Sequence, residues 1–287
     1  MADSSTPTTA WVLAGGGSFG AIQVGMLHAL VAHGLRPDLV VGSSVGAING
    51  AYFAGAPDGA GLQRLAAIWC GLRRSMVFPI AWRNLLARTG SGGFAVDPSG
   101  LSGLLEQCLP FRLLEQARVP VHVVATDQLG GGTVALSRGP AVAAVLASSA
   151  IPAVFPAVRI EGQFLIDGAI ASNTPISVAV GLGARRVIVL PTGFACALQT
   201  PPRSAIANAL HAVTLVIAHQ LADEFEQYHT QAEIIVVPPL CPLSASPYDF
   251  SQAATLIERA TAQTRRWLET GGLQRSQFAP ALLAHGH

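Results

Sequence analysis

A chain of 287 residues that is 51% hydrophobic and only 11% charged can bury a core in one large α/β domain or two small ones, which excludes a disordered or fibrous class. A net charge of +1 with a pI near 7.8 excludes a field strong enough to gather nucleic acid or an anionic membrane by charge alone. All 17 basic side chains are arginine, which reads as coding bias, since nothing in the pattern selects the guanidinium fork.

Residues 1–10, MADSSTPTTA, carry neither the basic nor the apolar run of a leader and are expected to be disordered, with a cytoplasmic location as the resulting expectation. Residues 11–14 (WVLA) read as a short buried strand, which three glycines turn into the helix AIQVGMLHALVAHG ending at Gly34. Pro37 and Asp38 start a second apolar run, LVVG, which ends in Gly42-Ser43-Ser44-Val45-Gly46, and the helix AINGAYFAGA follows. Strand, loop and helix thus occur twice in quick succession, the pattern of a parallel sheet covered by helices.

From Pro57 to Leu114 the pattern is helical and irregular, with a break at Gly90–Gly93. A helical layer with connecting loops is the plain reading, and a flap over an acyl pocket is the sharper one. Trp69, Met76, Phe78 and Trp82 at helical spacing are read first as core, and second as an acyl-pocket lining or a membrane-facing surface. Strands are expected at 119–127, 132–137, 163–167, 185–191 and 233–239, with the rest after Ala205 largely helical. There is no internal repeat and no low-complexity linker, so residues 11–287 are expected to form one domain, with the motifs in 11–192 and a mainly helical part in 193–287.

A mean hydropathy of +0.46 prompts a search for membrane spans. The uncharged stretch between Arg138 and Arg159 is interrupted by Pro140, Pro152 and Pro156, and Ser204–Ala222 contains Asn208, His211, His219 and Gln220; buried or partner-facing helices fit both better than spans do. Cys70, Cys108, Cys196 and Cys241 are widely spaced with no C-x-x-C pair, which points to reduced thiols rather than disulfides or zinc. No metal-ligand cluster is legible, and neither a metal nor another cofactor is expected.

Gly15, Gly17 and Gly20 satisfy G-x-G-x-x-G between a strand and a helix, so a dinucleotide reading must be weighed. That fold wants an acidic residue at the carboxyl end of the second strand, about 20 residues on. Asp38 is the acid nearby and it sits at the strand's start, while a Walker loop would need a lysine that the chain lacks. The other reading is that N–H groups at the helix start receive an anion formed only during a reaction.

Gly42-x-Ser44-x-Gly46 offers a nucleophile for such a reaction. A G-x-S-x-G turn between strand and helix exposes the middle Oγ, and the flanking glycines remove side chains that would collide. Ser43 is read as packed or turn-forming. The eight histidines, at 28, 33, 122, 211, 219, 229, 285 and 287, show no local signature of a partner base. Asp167, in Phe164-Leu-Ile-Asp-Gly-Ala169, ends an apolar strand where loops gather. Partial burial there would raise its pKa above about 3.9 and suit it to accept a serine proton. A turn-initiating role is the plainer reading of Asp167 taken alone.

Together, AGGGSFGAIQVGML, VVGSSVGAING and ASSAIPAVFPAVRIEGQFLIDGAIASNTPI (Ala147–Ile176) resemble the patatin-like acyl hydrolases, also called patatin-like phospholipases. The resemblance covers the landmarks of residues 11–192. It implies a three-layer α/β/α fold with a mainly parallel sheet, and a Ser-Asp dyad in which Ser44 is the nucleophile and Asp167 the base. It implies an oxyanion hole at Gly15, Gly16, Gly17 and Ser18, supported by Gly20, Gly42, Gly46 and Gly168. It implies a lipid or acyl-ester substrate; the apolar helices of 60–86 add the expectation of transient contact with a membrane surface, and the near-neutral charge the expectation of no nucleic acid. The family often has a cation before the last glycine of its loop, where this chain has Phe19, and a neutral aromatic does not attract a phosphate headgroup. A dinucleotide-binding module and a lipid-binding scaffold without turnover are the competing readings.

Overall fold

Burial on both faces organises the sheet. In β1 (Thr9–Leu13), Ala10 and Val12 join one apolar cluster while Trp11 and Leu13 join another, and all four are fully buried. A strand apolar on both faces is stable only with cover on both sides, and so it reads as a continuous run rather than an alternating one. The computed structural model describes residues 8–77, 97–193, 208, 220–241, 243 and 246–274.

The other strands are β2 (Leu39–Ser43), β3 (Val121–Asp127), β4 (Thr133–Leu136), β5 (Val158–Ile160), β6 (Gln163–Asp167), β7 (Arg186–Leu190) and β8 (Glu233–Val236). They form one eight-stranded sheet in the order β5-β6-β3-β2-β1-β7-β8, with β4 on β3. The pairs β3–β2, β2–β1, β1–β7 and β7–β8 are parallel, while β4, β5 and β6 join antiparallel. The helices are α1 (Gly20–Ala32), α2 (Val45–Gly55), α3 (Gly59–Gly71), α4 (Arg74–Val77), α5 (Ser99–Cys108), α6 (Ala141–Ser148), α7 (Ala169–Ser172), α8 (Ile176–Gly181) and α9 (Ala253–Glu269). One face of the sheet packs against α1, α2, α3, α5, α6 and α9; the other takes α8 with Leu221 and Phe225. The fold is therefore mixed α/β with a mainly parallel central sheet flanked by helices.

One topological detail positions the site. β3 pairs through 121–124 with β2 and through 125–127 with β6, while β4 spans 123–126 and overlaps both. A strand has two edges, so β4 occupies one, and β2 and β6 share the other end to end. They run toward each other: Ser43 pairs with Val124 and Asp167 with Ala125. The chain leaves the sheet at both strand ends, at neighbouring points.

Several sequence boundaries shift. β1 begins at Thr9, inside the stretch expected to be disordered, because Thr9 exchanges hydrogen bonds with Asp38 and the Thr8 carbonyl accepts the Arg185 and Arg186 N–H groups. Residues 1–7 lie outside the described residues, as do Phe78, Trp82, the Gly90–Gly93 break and most of Ser204–Ala222. β5 was not anticipated: its three residues give too short a pattern to register. The last expected strand stops at Val236, ahead of Pro238 and Pro239, which cannot donate to a ladder. No helix among the described residues is long and apolar enough to cross a membrane. Among the described residues Cys70, Cys108 and Cys241 form no disulfide.

α1 is buried nearly all round, as expected of a helix enclosed between a sheet and other helices. Its Gly25 lets α9 pass so close that an added Cβ would stand 2.4 Å from the Ile257 carbonyl oxygen and 2.7 Å from the Ala260 Cβ. Gly25→Ala should destabilise the protein by about 1–3 kcal/mol through overpacking. Gly103→Ala, in α5 with no atom within 4 Å of the new Cβ, should instead stabilise it by about 0.5–1 kcal/mol by restricting the unfolded chain. Urea midpoints of the two variants should therefore move in opposite directions.

Candidate active site

β2 turns into α2 through one residue, Ser44, which has φ 53° and ψ −125°. A non-glycine residue there stores about 1–3 kcal/mol of strain, which its surroundings must hold. The glycines on either side permit the turn: a Cβ on Gly42 would meet the Gly46 carbonyl oxygen at 2.4 Å, and one on Gly46 would meet the Leu13 carbonyl oxygen at 2.1 Å. Ser43 is fully buried in β2, as its packed reading requires.

Asp167 faces Ser44 from the end of β6. The Ser44 hydroxyl donates to Asp167 Oδ2 at 2.8 Å, and the Ala169 N–H donates to Oδ1 at 2.9 Å. The carboxyl is 4% exposed, and this burial pushes its pKa up to about 6, against the opposing pull of the Ala169 N–H and the Ser44 hydroxyl. The segment 148–150 braces both residues. Ser148 Oγ accepts the Ser44 N–H at 2.9 Å and itself donates to the Val124 carbonyl. The Ser148 carbonyl accepts the Gly168 N–H at 3.1 Å, and the Ala150 carbonyl accepts the Asp167 N–H at 3.0 Å. A Cβ on Gly168 would stand 2.1 Å from the Val124 carbonyl oxygen, so only glycine lets the chain turn there.

The glycine loop lies on the other side of Ser44. Gly15 donates its N–H to the Asn173 carbonyl at 3.1 Å, and Ser18 donates its N–H to the Pro247 carbonyl at 2.7 Å. Both N–H groups are therefore engaged with carbonyls remote in the chain. The N–H groups of Gly16 and Gly17 have no hydrogen-bond acceptor among the described residues. Thr192 Oγ1 donates to the Gly15 carbonyl at 2.6 Å and fixes the loop from β7's end. Phe19 is 1% exposed and belongs to the core, so its side chain faces no incoming headgroup.

A buried polar chain joins loop, elbow and pocket. Gln23 Nε2 donates to the Ala14 and Leu190 carbonyls at 2.7 and 2.9 Å; Asn49 Nδ2 donates to the Gly20 carbonyl and to Gln23 Oε1, both at 2.9 Å; Trp69 Nε1 donates to Asn49 Oδ1 at 2.9 Å. Gln23 and Asn49 are wholly buried, so each of these bonds is expensive to leave unmade. From Ser44 and Gly17 an apolar cavity extends between Ile48, Leu65, Trp69, Leu101, Leu105 and Phe250. Trp69 is thus both core, stacked on Phe250 at 6.1 Å, and cavity wall, whereas Met76 is 45% exposed.

The profile of the patatin-like phospholipase family matches residues 11–180. The chain belongs to this family. Among relatives, it is 32% identical over 187 residues to an NTE family protein of Mycobacterium bovis, covering 65% of this chain and 49% of that one. It is 30% identical over 184 residues to a patatin-like phospholipase domain-containing protein of Caenorhabditis elegans, and 29% over 186 residues to patatin-like phospholipase domain-containing protein 7 of the rat. These matches cover 63% and 64% of this chain and 13% of each relative, so the chain spans half or less of the relatives it matches. VipD from Legionella pneumophila aligns in structure with a TM-score of 0.47 and 16% identity, over 93% of this chain and 67% of that one.

In this patatin-like chain Ser44, Asp167 and the glycine loop meet at one place, and none of the described histidines joins them: His28 lies on α1, His33 caps it, His122 lies in β3, and His229 stacks on Phe225. His211, His219, His285 and His287 are outside the described residues. Asp38 sits at the amino end of β2, its carboxylate accepting the Thr9 N–H at 2.7 Å, so it is not beside the glycine loop. Among the described residues no group of three or more His, Cys, Asp or Glu side chains could hold a metal ion. Sequence reasoning missed Ser148, Asn173, Gln23 and Asn49. For Gln23 and Asn49 the one visible signal is a polar residue inside an apolar run, which does not reveal its partner, and Ser148 and Asn173 stand beside other small polar residues.

The raised pKa of Asp167 contributes a loss of stability as pH rises. The unfolded carboxyl releases its proton near 3.8 and the folded one near 6, so across that window the native state binds more protons and loses stability with each increment of pH. Asp167→Asn should therefore unfold at a higher temperature than wild type above pH 6, with the difference closing toward pH 4.

Proposed function

We infer that this protein is a serine acyl hydrolase that cleaves carboxylic esters of lipids through a Ser44–Asp167 dyad and an acyl-enzyme. The observation that carries this reading is the 2.8 Å bond from the Ser44 hydroxyl to a buried carboxylate at the mouth of an apolar cavity. Asp167 accepts the Ser44 proton as Oγ attacks the ester carbonyl carbon. The unengaged N–H groups of Gly16 and Gly17, at the start of α1, stabilise the alkoxide oxygen of the tetrahedral intermediate. The carbon–oxygen bond to the alcohol breaks, Asp167 returns the proton to the leaving oxygen, and water then hydrolyses the Ser44 ester. The acyl chain lies in the cavity against Leu65, Leu101 and Leu105, where its burial contributes about 0.8 kcal/mol per methylene.

A base must be unprotonated to act, and Asp167 is so above about pH 6. With p-nitrophenyl butyrate, kcat/KM should be level above pH 7 and fall about tenfold per unit well below pH 6. Ser44→Ala and Asp167→Asn, each shown folded by circular dichroism, should lower kcat by about 10³-fold or more. Turnover that persists in Ser44→Ala would remove the nucleophile, and the proposal with it.

A further inference from the structure

We propose that the Ser149 hydroxyl selects esters whose acyl chain carries a hydroxyl group on its second or third carbon. This rests on the serine-hydrolase reading above and deepens it by naming a substrate class.

Ser149 caps the end of α6 and lines the apolar cavity together with Ser44 and Gly17. Its main chain is satisfied: the N–H donates to the Val145 and Leu146 carbonyls, both at 3.1 Å, and the carbonyl accepts the Ile151 N–H at 2.9 Å. Its chain neighbours hold the dyad, Ser148 Oγ accepting the Ser44 N–H at 2.9 Å and the Ala150 carbonyl accepting the Asp167 N–H at 3.0 Å. The side chain between them is less well provided for. The Ser149 hydroxyl donates toward the Ser44 carbonyl at 3.5 Å, beyond the roughly 2.5–3.0 Å of a well-formed O–H···O bond. Among the described residues none donates a hydrogen bond to Ser149 Oγ. Ser149 is 6% exposed, so an oxygen with two open lone pairs stands in an apolar wall beside the nucleophile.

A buried polar group of this kind costs free energy until it is paired, and in a ligand cavity such groups fix orientation and specificity by pairing with the ligand. Three observations define the partner. The cavity wall contains no Asp, Glu, His, Lys or Arg side chain, so a charged substituent would lose its water with nothing to offset the loss. Ser149 turns its own proton to a carbonyl and leaves its lone pairs open, so the incoming group is a donor. A hydroxyl is neutral and donates. Its place on the chain follows from Ser44, since the carbonyl that Ser149 faces belongs to the residue whose Oγ bonds the acyl carbon. The Ser149 hydroxyl therefore meets the first carbons of the acyl chain and not its tail. The other polar groups of the wall do not compete there: the Trp69 N–H is given to Asn49, and Tyr52 lies about two turns of α2 farther along.

The test compares kcat/KM for the p-nitrophenyl esters of butyrate, 2-hydroxybutyrate and 3-hydroxybutyrate in the wild type and in variants shown folded by circular dichroism. A hydroxyl also alters the reactivity of the ester itself, so the quantity read is the ratio of each hydroxyacyl ester to butyrate, enzyme by enzyme. For at least one hydroxyacyl ester that ratio should fall about 3- to 10-fold in Ser149→Ala, the worth of one neutral hydrogen bond. Ser149→Cys, close in size and a weaker acceptor, should lower it in the same direction, while Ser149→Thr, which keeps the hydroxyl, should hold the wild-type ratio. A merely structural defect would slow all three esters together and leave the ratios in place. Ratios unchanged in both Ser149→Ala and Ser149→Cys would overturn the role of Ser149 and leave the dyad standing. A wild type that hydrolyses none of the three esters would overturn the hydrolase reading itself, and this specificity with it.

Discussion

Two strands meeting head-on along one edge of a third are the constraint on which this site depends. β2 and β6 enter that edge from opposite directions and must both leave it where they meet, beside Val124 and Ala125. Each exit requires a turn, and each turn carries a glycine where a Cβ would strike backbone, Gly42 or Gly46 on one side and Gly168 on the other. The residues at the two exits are Ser44 and Asp167. Their 2.8 Å contact therefore follows from strand register, and the segment 148–150 locks it by bonding to the main chain of both. The Ser44–Asp167 contact is thus a property of the sheet before it is a property of two side chains.

The site is costly to the fold in three separate ways. Ser44 occupies a positive-φ backbone conformation, Asp167 is a carboxyl whose burial raises its pKa, and Asn173 Oδ1 is a desolvated acceptor. Each would relax if its surroundings gave way. They are held by the apolar clusters on both faces of the sheet and by the Gln23–Asn49–Trp69 chain, which ties α1, α2 and α3 to the ends of β1 and β7. Stored strain and desolvation of this kind are what a preorganised reaction centre requires, since the groups need not rearrange when charge develops.

Much of this was legible in the residues. The first strand–loop–helix units, the serine at a glycine-flanked turn and the aspartate at a strand end all announce themselves by local pattern, because apolar runs and glycines act within a few residues. Asp167 taken alone read more plainly as a turn residue, and its burial, which raises its pKa to about 6, is a fact of packing. Of the four glycine-loop N–H groups, those of Gly15 and Ser18 bond carbonyls far along the chain, which local pattern does not encode. Trp69 was read first as core and proved to be core and cavity wall together, a double role that a helical spacing does not separate.

The sequence by itself determined the chemical types and their local geometry: which residue sits at the strained turn, which strand end bears a carboxylate, and which loop exposes main-chain N–H groups. Those features depend on neighbours in the chain, where steric exclusion and hydrophobic periodicity operate. Only the tertiary structure decided which of them meet, which donors remain unengaged and which buried acceptor lacks a partner. Those depend on contacts such as Ser44 with Asp167, 123 residues apart, and Ser18 with Ser246, 228 residues apart. Hydrogen bonds and desolvation act over a few ångströms of space, and distance along the chain does not encode them.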